Sequence, residues 1–435
     1  MSKIVVLGGG ESGVGAALLA LSKGFQVFLS DSGILKEEYQ QILQANHIEF
    51  EISNHSIDKI LDADEIIISP GIPEKSEIVK AIKAADISLI SEIEFASRYT
   101  NAKIIAITGS NGKTTTTLLT YHLLKEAGFK VGLAGNIGKS FAKQVMEDEM
   151  DYYVIEISSF QLDRCFQFKP DVAILLNITP DHLDRYEYKF ENYIQSKLRI
   201  FQNADSNTTC ITWAEDEVLT NYRHLIAAGR HQLISFKDKS TCAFISDQEI
   251  QFHERWKVIR SELPIKGPHN AINLSAAVLA AEAVGIAPEL IKKSLETFIN
   301  AEHRLESCGK WNGIEFINDS KATNVDAVFY ALNSFKRGII LIIGGVDKGN
   351  DYAVLDQLVQ EKVRGIVCLG TDNEKLLQHF GKKVPHILST QSLKEAIETS
   401  VKWVEKGDTI LLSPACASFD LFKNYEDRGR QFKES

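Results

Sequence analysis

Short, largely apolar runs alternate with helical patterns along most of the 435-residue chain. Runs at 3–7, 25–29, 65–68, 104–107, 153–157, 172–176, 338–343, 365–369 and 409–412 have strand length and predict buried strands. Helical periodicity is clearest through about residue 23, over 190–201 and in the alanine-rich 271–284. Strands alternating with helices are the signature of an α/β fold with largely parallel sheets. The runs fall into three blocks, 1–93, 94–299 and 300–435. No repeat, low-complexity tract or Pro/Ser-rich linker separates the blocks, so short joints are expected.

Composition narrows this picture without redrawing it. Hydrophobic residues at 44% and charged residues at 24% are the balance of a soluble globular protein. The length calls for two to four domains of roughly 100–200 residues each. No stretch approaches the roughly 18 apolar residues of a membrane span, so no membrane insertion is expected. MSKIVVLGGG runs straight into a strand without a signal-type segment, and a cytoplasmic location is expected. The six cysteines form no CxxC pair and read as reduced core residues. A formal charge of −10 argues against a nucleic-acid partner.

Two glycine loops carry the candidate chemistry. Gly8, Gly10 and Gly13 fit G-x-G-x-x-G between a strand and a helix, and Asp31 ends the next strand. That arrangement seats a pyrophosphate on helix N-terminal amides, without saying whether NAD or a UDP-sugar owns it. Ser69-Pro70-Gly71-Ile72-Pro73 follows the strand 65–68, a sharp turn where open α/β sheets bind ligands.

The second loop is the stronger signal. The strand at 104–107 runs into Thr108-Gly109-Ser110-Asn111-Gly112-Lys113-Thr114-Thr115 and then a helix. Loop amides can wrap phosphate, Lys113 can reach the β/γ-phosphates and Thr114 can bind Mg²⁺. Ile107 stands where a strict P-loop has glycine, so the loop is a variant. Glu156, in an otherwise buried strand, needs a cation, which Mg²⁺ would supply and a buried Lys or Arg could supply instead. His182, in Asn177-Ile178-Thr179-Pro180-Asp181-His182-Leu183-Asp184-Arg185, should reach the same sheet edge as a metal or phosphate contact. Lys197 lies in a helical pattern, and nothing in the spacing alone singles it out.

Taken in order, TGSNGKTT, the glutamate of EISSFQ, NITPDHLDR, Lys197, GPHNAINLSAA, EHRLE, NDSKATN and SPACASFDLFKNYEDRG resemble the Mur ligase superfamily, the ATP-dependent amide-forming enzymes of peptidoglycan precursor synthesis. The resemblance spans essentially the whole chain. Within the superfamily the chain is most similar to the members that join D-glutamate to UDP-N-acetylmuramoyl-L-alanine. The resemblance implies three domains: a Rossmann-like N-terminal UDP-binding domain, a central P-loop ATPase-like domain with a parallel sheet, and a C-terminal Rossmann-like α/β domain. It also assigns the first glycine loop to UDP rather than NAD.

The resemblance further implies roles for single residues. Gly109, Ser110, Asn111, Gly112, Lys113, Thr114 and Thr115 would hold the ATP phosphates, and Asn270, Arg304, Asp319 and Lys321 would contact the nucleotide. Thr114 and Glu156 would serve one Mg²⁺. His182 and Lys197 would serve a second, with Lys197 carbamylated by CO₂. Ser12, Gly13, Asp31, Ser32, Gly71, Asn136 and His182 would bind the UDP substrate. Thr323, Lys348, Ser418 and Tyr425 would bind D-glutamate. A hinge near 299–302 and a monomer are expected. The rival readings are a sister ligase, an NAD-binding oxidoreductase fused to an NTPase, and a non-catalytic ATP-dependent switch.

Overall fold

A computed structural model of the chain describes residues 2–147, 149–226 and 228–435. Its three sheets occupy successive stretches of sequence.

The first sheet has five parallel strands, Lys3–Leu7, Gln26–Asp31, Glu49–Ile52, Glu65–Ile68 and Ser88–Ser91. In space the third lies at one edge, followed by the second, first, fourth and fifth. The order reverses beside Lys3–Leu7, so the loop at the carboxyl end of that strand opens into the crevice where such sheets hold ligands. Both faces are covered. Ile4, Val6 and Leu29 pack with helix Glu11–Ser22 on one side, and Val5, Leu7 and Ile66 pack with helix Glu77–Ala84 on the other. This two-sided burial is why strand 3–7 is continuously apolar after its first residue.

The second sheet has nine strands. From one edge they run Val131–Gly135, Tyr152–Glu156, Lys103–Thr108, Val172–Leu175, Thr209–Trp213, Arg230–Ser235, Ala243–Ile245, Glu249–Phe252 and Trp256–Ile259. All pair in parallel except the last two steps, which are antiparallel. Lys103–Thr108 sits inside the parallel part, flanked by Tyr152–Glu156 and Val172–Leu175. The loops after these three strands therefore emerge at one edge. Two helices differ from the sequence reading. The pattern over 190–201 is an α-helix only for Phe190–Leu198 and tightens into a 3₁₀ turn at Arg199–Phe201, where the Arg199 guanidinium donates to Leu162 O and Cys165 O. The alanine-rich helix starts earlier, at Pro268, because proline needs no amide partner in a first turn.

The third sheet runs Glu306–Trp311, Ile314–Asn318, Thr409–Ala415, Ile339–Gly344, Val363–Leu369 and His386–Thr390. Only its first pair is antiparallel. By compactness the chain divides into two units, residues 1–259 with 272–297, and residues 260–271 with 298–435.

Inside the first unit, two buried carboxylates of helix Glu92–Ser97 tie the first sheet to its neighbour. Glu94 accepts from the amides of Phe166, Gln167 and Phe168 at 2.9–3.1 Å. Glu92 accepts from Ser140 Oγ at 2.8 Å and Ala142 N at 2.7 Å, while its Oε2 has no hydrogen-bond partner. Burial outweighs those bonds and pushes the Glu92 carboxyl up to about 7. A raised carboxyl stabilises the fold below the unfolded-state value of roughly 4.3, and that contribution is lost as pH rises through 7. Glu92→Gln should therefore gain stability over the wild type between pH 5 and 8, reaching about 3 kcal/mol at the upper end. Urea midpoints across that range would show it, and parallel curves would mean that Glu92 does not titrate there.

Candidate active site

The strand Lys103–Thr108 delivers the loop at 109–112 directly to the N-terminus of helix Lys113–Glu126. Gly112 is the N-cap, at φ 85°, and a Cβ there would sit 2.2 Å from Asn273 Oδ1. The positive φ and the close approach favour glycine, which has no side chain to cap the helix, and the N-terminus of such a helix suits a phosphate. The NITPDHLDR segment holds the loop in shape. Asn177 Oδ1 accepts from Asn111 N at 2.9 Å and its Nδ2 donates to Asn111 O. Ser110 Oγ donates to Thr179 O and accepts from Thr179 N, both at 2.9 Å. The motif spacing did not point to Asn177 as the brace of the phosphate loop.

Two lysines meet on one carbonyl. Lys113 Nζ donates to Gly109 O at 2.7 Å and Ser110 O at 3.0 Å, and Lys197 Nζ donates to Gly109 O at 2.9 Å. Lys197 is 1% exposed and lies 4.7 Å from the centre of the Tyr193 ring. Burial first, then repulsion from Lys113, drives its amine far below the usual lysine value, so the neutral amine is favoured. Structure thus singles out a residue that helical periodicity could not.

Glu156 closes the strand beside the loop, opposite Ile107. Asn136 Nδ2 donates to its Oε1 at 2.7 Å, and Oε2 is buried without a hydrogen-bond partner. No lysine or arginine pairs with it in an ion pair among the described residues. An orphaned carboxylate oxygen beside a phosphate loop fits a divalent cation. No three His, Cys, Asp or Glu side chains converge as a metal cluster among the described residues, so such a cation would rely on Glu156, a loop hydroxyl and phosphate oxygens together.

His182 sits at φ 52°, with its ring edge-on to Phe160 at 5.1 Å and Nε2 3.6 Å from the Asp181 carboxylate. Arg185 stacks on the same Phe160 at 4.4 Å and donates to Pro70 O and Ile72 O. It therefore links the His182 loop to the Ser69–Pro73 turn of the first sheet, a role that the sequence reading did not assign.

In the first glycine loop, Gly13 is required because a Cβ would lie 1.8 Å from Gly8 O. Ser12 and Gly13 lie in the first turn of helix Glu11–Ser22. Asp31 is a brace: Oδ2 accepts from Gly9 N at 2.6 Å and Oδ1 from Gly33 N at 2.7 Å. Ser32 and Gly71 are exposed on the loops after their strands and line one cavity.

In the second unit, Asn270 Nδ2 donates to Lys266 O. Asp319 accepts from Leu305 N and Ser413 Oγ, and burial pushes its carboxyl up to about 7. Arg304 is close enough to oppose that rise electrostatically. Lys321 Nζ lies 3.6 Å from the centre of the Tyr425 ring. Thr323 is half-buried, Ser418 is buried and Lys348 is exposed. Arg428, 1% exposed, donates to Ser320 Oγ and O, Gly344 O and Cys416 O. It thereby holds together the three loops that carry Lys321 and Thr323, Lys348, and Ser418.

Three family models match the chain: MurD N-terminal domain over residues 3–78, Mur ligase middle domain over 107–281, and Mur ligase, glutamate ligase domain over 303–416. The UDP-N-acetylmuramoylalanine–D-glutamate ligase of Cytophaga hutchinsonii is 53% identical over 99% of this chain and 98% of its own. That of Bacteroides fragilis is 48% identical over 100% and 99%. Among solved structures, the MurF ligase of Thermotoga maritima in complex with ADP covers 95% of this chain and 96% of its own with a TM-score of 0.65 at 16% identity. UDP-N-acetylmuramate-alanine ligase MurC of Thermotoga maritima covers 100% and 99% with a TM-score of 0.62 at 21% identity. At those identities the likeness concerns the fold.

The geometry around Glu156 separates a cation site from a structural carboxylate. Glu156→Gln keeps an acceptor for Asn136 and removes an unpaired buried charge, so stability should hold or rise by about 1 kcal/mol. Affinity for the magnesium–nucleotide complex should fall by about tenfold or more. Thermal melting and calorimetric titration of the same variant test both. A large loss of stability would instead mark Glu156 as a structural partner.

Proposed function

The chain belongs to the Mur ligase family, and on that premise we propose that it joins D-glutamate to UDP-N-acetylmuramoyl-L-alanine while ATP is cleaved to ADP and phosphate. This is a step in peptidoglycan precursor synthesis. Amide formation from a carboxylate in water is uphill, so the acid is activated first. A carboxylate oxygen of the UDP substrate takes the γ-phosphoryl of ATP, and ADP leaves with the electron pair of the broken P–O bond. The amine of D-glutamate attacks the resulting acyl phosphate at carbon. The tetrahedral adduct loses a proton and expels phosphate, leaving the amide.

The observation that carries this reading is the meeting of Lys113 and buried Lys197 at the carbonyl of Gly109, where the phosphate loop enters its helix. Phosphoryl transfer between two anions is chiefly a matter of positioning and charge neutralisation, and this loop gathers donors for both. Lys113 and the amides of Gly109, Ser110, Asn111, Gly112, Thr114 and Thr115 bind the phosphates. Thr114 and Glu156 would hold one Mg²⁺, and His182 and Lys197 would hold a second; bound there, the ions would supply charge neutralisation for phosphoryl transfer. The neutral Lys197 amine takes up CO₂, forming an N–C bond and releasing one N–H proton, which turns a donor into a carboxylate ligand.

The remaining assignments belong to the same proposal. Asn270, Arg304, Asp319 and Lys321 contact nucleotide. Thr323, Lys348, Ser418 and Tyr425 bind D-glutamate. Ser12, Gly13, Asp31, Ser32, Gly71, Asn136 and His182 bind the UDP substrate. The division at 1–93, 94–299 and 300–435, a hinge near 299–302, a monomeric state and a cytoplasmic location complete it. No helix among the described residues is long and apolar enough to cross a membrane.

Phosphate release with Mg·ATP and UDP-N-acetylmuramoyl-L-alanine tests the activity. It should appear with D-glutamate, together with a glutamate-sized mass gain, and not with L-glutamate, L-alanine or L-lysine. Release with a different amino acid would move the chain to a sister activity. Carbon-13 NMR in labelled bicarbonate should show a carbamate signal that is lost in Lys197→Arg, and its absence from the wild type would remove that modification.

A further inference from the structure

Strands Ile339–Gly344 and Thr409–Ala415 are neighbours in the third sheet, and the turns leaving their carboxyl ends carry Lys348 and Ser418. Those two turns are joined twice. The first joint is backbone: Val346 N donates to Ala417 O at 2.8 Å, and Ala417 N donates to Val346 O at 3.3 Å. A Cβ on Gly345 would lie 2.2 Å from Ala417 O, so the close approach of the turns depends on glycine there.

The second joint is made of side chains that the functional reading leaves without a role. Asp347 folds its own turn, with Oδ1 accepting from Gly349 N at 2.6 Å and from Asn350 N at 3.0 Å. Its Oδ2 accepts from the Tyr352 hydroxyl at 2.7 Å. Tyr352 is 2% exposed, packs its ring against Phe380 and brings its oxygen within 3.3 Å of Cys416 Sγ. Asn350 Nδ2 donates to Ala415 O at 3.0 Å. Ala415 sits at φ 59°, a conformation that a residue with a Cβ keeps only where its surroundings hold it. Hydrogen bonds thus run from the Lys348 turn to the Ser418 turn through Tyr352 and through Asn350. Lys348 itself, exposed between Asp347 and Gly349, takes part in neither path.

Charge fixes the direction of these bonds. Burial opposes ionisation of Asp347, but the bonds from Tyr352, Asn350, Gly349 and Lys375 outweigh it and hold the carboxyl below its usual value. An ionised carboxylate only accepts, so the Tyr352 proton goes to Asp347. The Tyr352 oxygen is then an acceptor, and Asn350 Nδ2 at 3.3 Å and the Cys416 thiol can both donate to it. Lys375 Nζ, 3.2 Å from Asp347 Oδ1, offsets the charge of the carboxylate next to Lys348.

We propose that Asp347, Asn350 and Tyr352 are positioning residues for the amino-acid substrate, holding the Lys348 turn and the Ser418 turn in the arrangement that receives it. A site already ordered loses less conformational freedom when its ligand arrives. This rests on the reading of Lys348 and Ser418 as D-glutamate contacts, and it extends that reading to three residues outside the contact set.

Steady-state kinetics with each of the three substrates varied in turn tests the inference. Tyr352→Phe keeps the packed ring and removes one hydroxyl, and Asp347→Ala removes the acceptor at the other end of the same bond. Each should raise KM for D-glutamate by about tenfold, the scale of a buried polar group left unpaired. KM for ATP and for UDP-N-acetylmuramoyl-L-alanine should stay within about twofold, and kcat at saturating D-glutamate within about threefold. The double variant should raise KM for D-glutamate by well under the product of the two single effects, because both break one path. Asn350→Ala, which cuts the other path, should also raise KM for D-glutamate alone. An unchanged KM for D-glutamate in Tyr352→Phe and Asp347→Ala, or an equal rise in KM for all three substrates, would overturn the positioning role. Lys348→Ala is the separate check on the underlying reading. If it leaves KM for D-glutamate unchanged, or if wild-type protein does not turn over D-glutamate, that reading falls and this inference falls with it.

Discussion

Two lysine side chains donating to a single backbone oxygen is an electrostatic problem, and the first unit is arranged around its solution. Lys113 must remain cationic to meet phosphate. Lys197 approaches the same Gly109 carbonyl from a helix of a different segment, with almost no access to water. Both cannot be charged cheaply in that space, and burial decides which one gives way. Burial and the neighbouring Lys113 shift the Lys197 amine towards its neutral form. Lys113 suits charge neutralisation and the Lys197 amine suits capture of an electrophile.

The rest of the site depends on the loop being rigid enough to hold that pair. Glycine at 112 allows the turn into the helix, and Asn177, Ser110 and Thr179 lock the turn from outside. Glu156 ends the adjacent strand with one oxygen satisfied by Asn136 and the other without a partner. A divalent cation would satisfy the second oxygen. Arg185 extends the same frame to the first sheet by stacking on Phe160 and donating to the Ser69–Pro73 turn. The loops proposed to hold the UDP substrate and the loop proposed to activate its carboxylate are thereby braced within one compact unit. In the second unit, Arg428 plays a comparable part, a buried cation satisfied entirely by hydroxyl and carbonyl oxygens of three loops.

Much of this was legible along the chain. Continuous apolar runs such as 4–7 and 104–107 mark strands buried on both faces, because a strand packed by helices above and below has no side on which to place polar residues. The glycine loops were legible for a related reason: positive φ and close backbone approach leave few residue choices, so the chemistry of the loop is written into its composition. Helix ends were less so. The 3₁₀ turn at Arg199 is set by carbonyls of Leu162 and Cys165, more than thirty residues away, and no local pattern reports them.

What the sequence by itself determined was therefore the alternation of strand and helix, the positions of the phosphate-binding turns, and the motifs that assign the chain to its family. These depend on local sterics and on burial that repeats with the period of the element. Only the tertiary structure decided which polar groups lack partners and which share one. Lys197 looks like an ordinary surface residue in the sequence. It is buried against the carbonyl of Gly109. Protonation and hydrogen-bond polarity depend on desolvation and on neighbours brought from elsewhere in the chain, and those are properties of the folded arrangement alone.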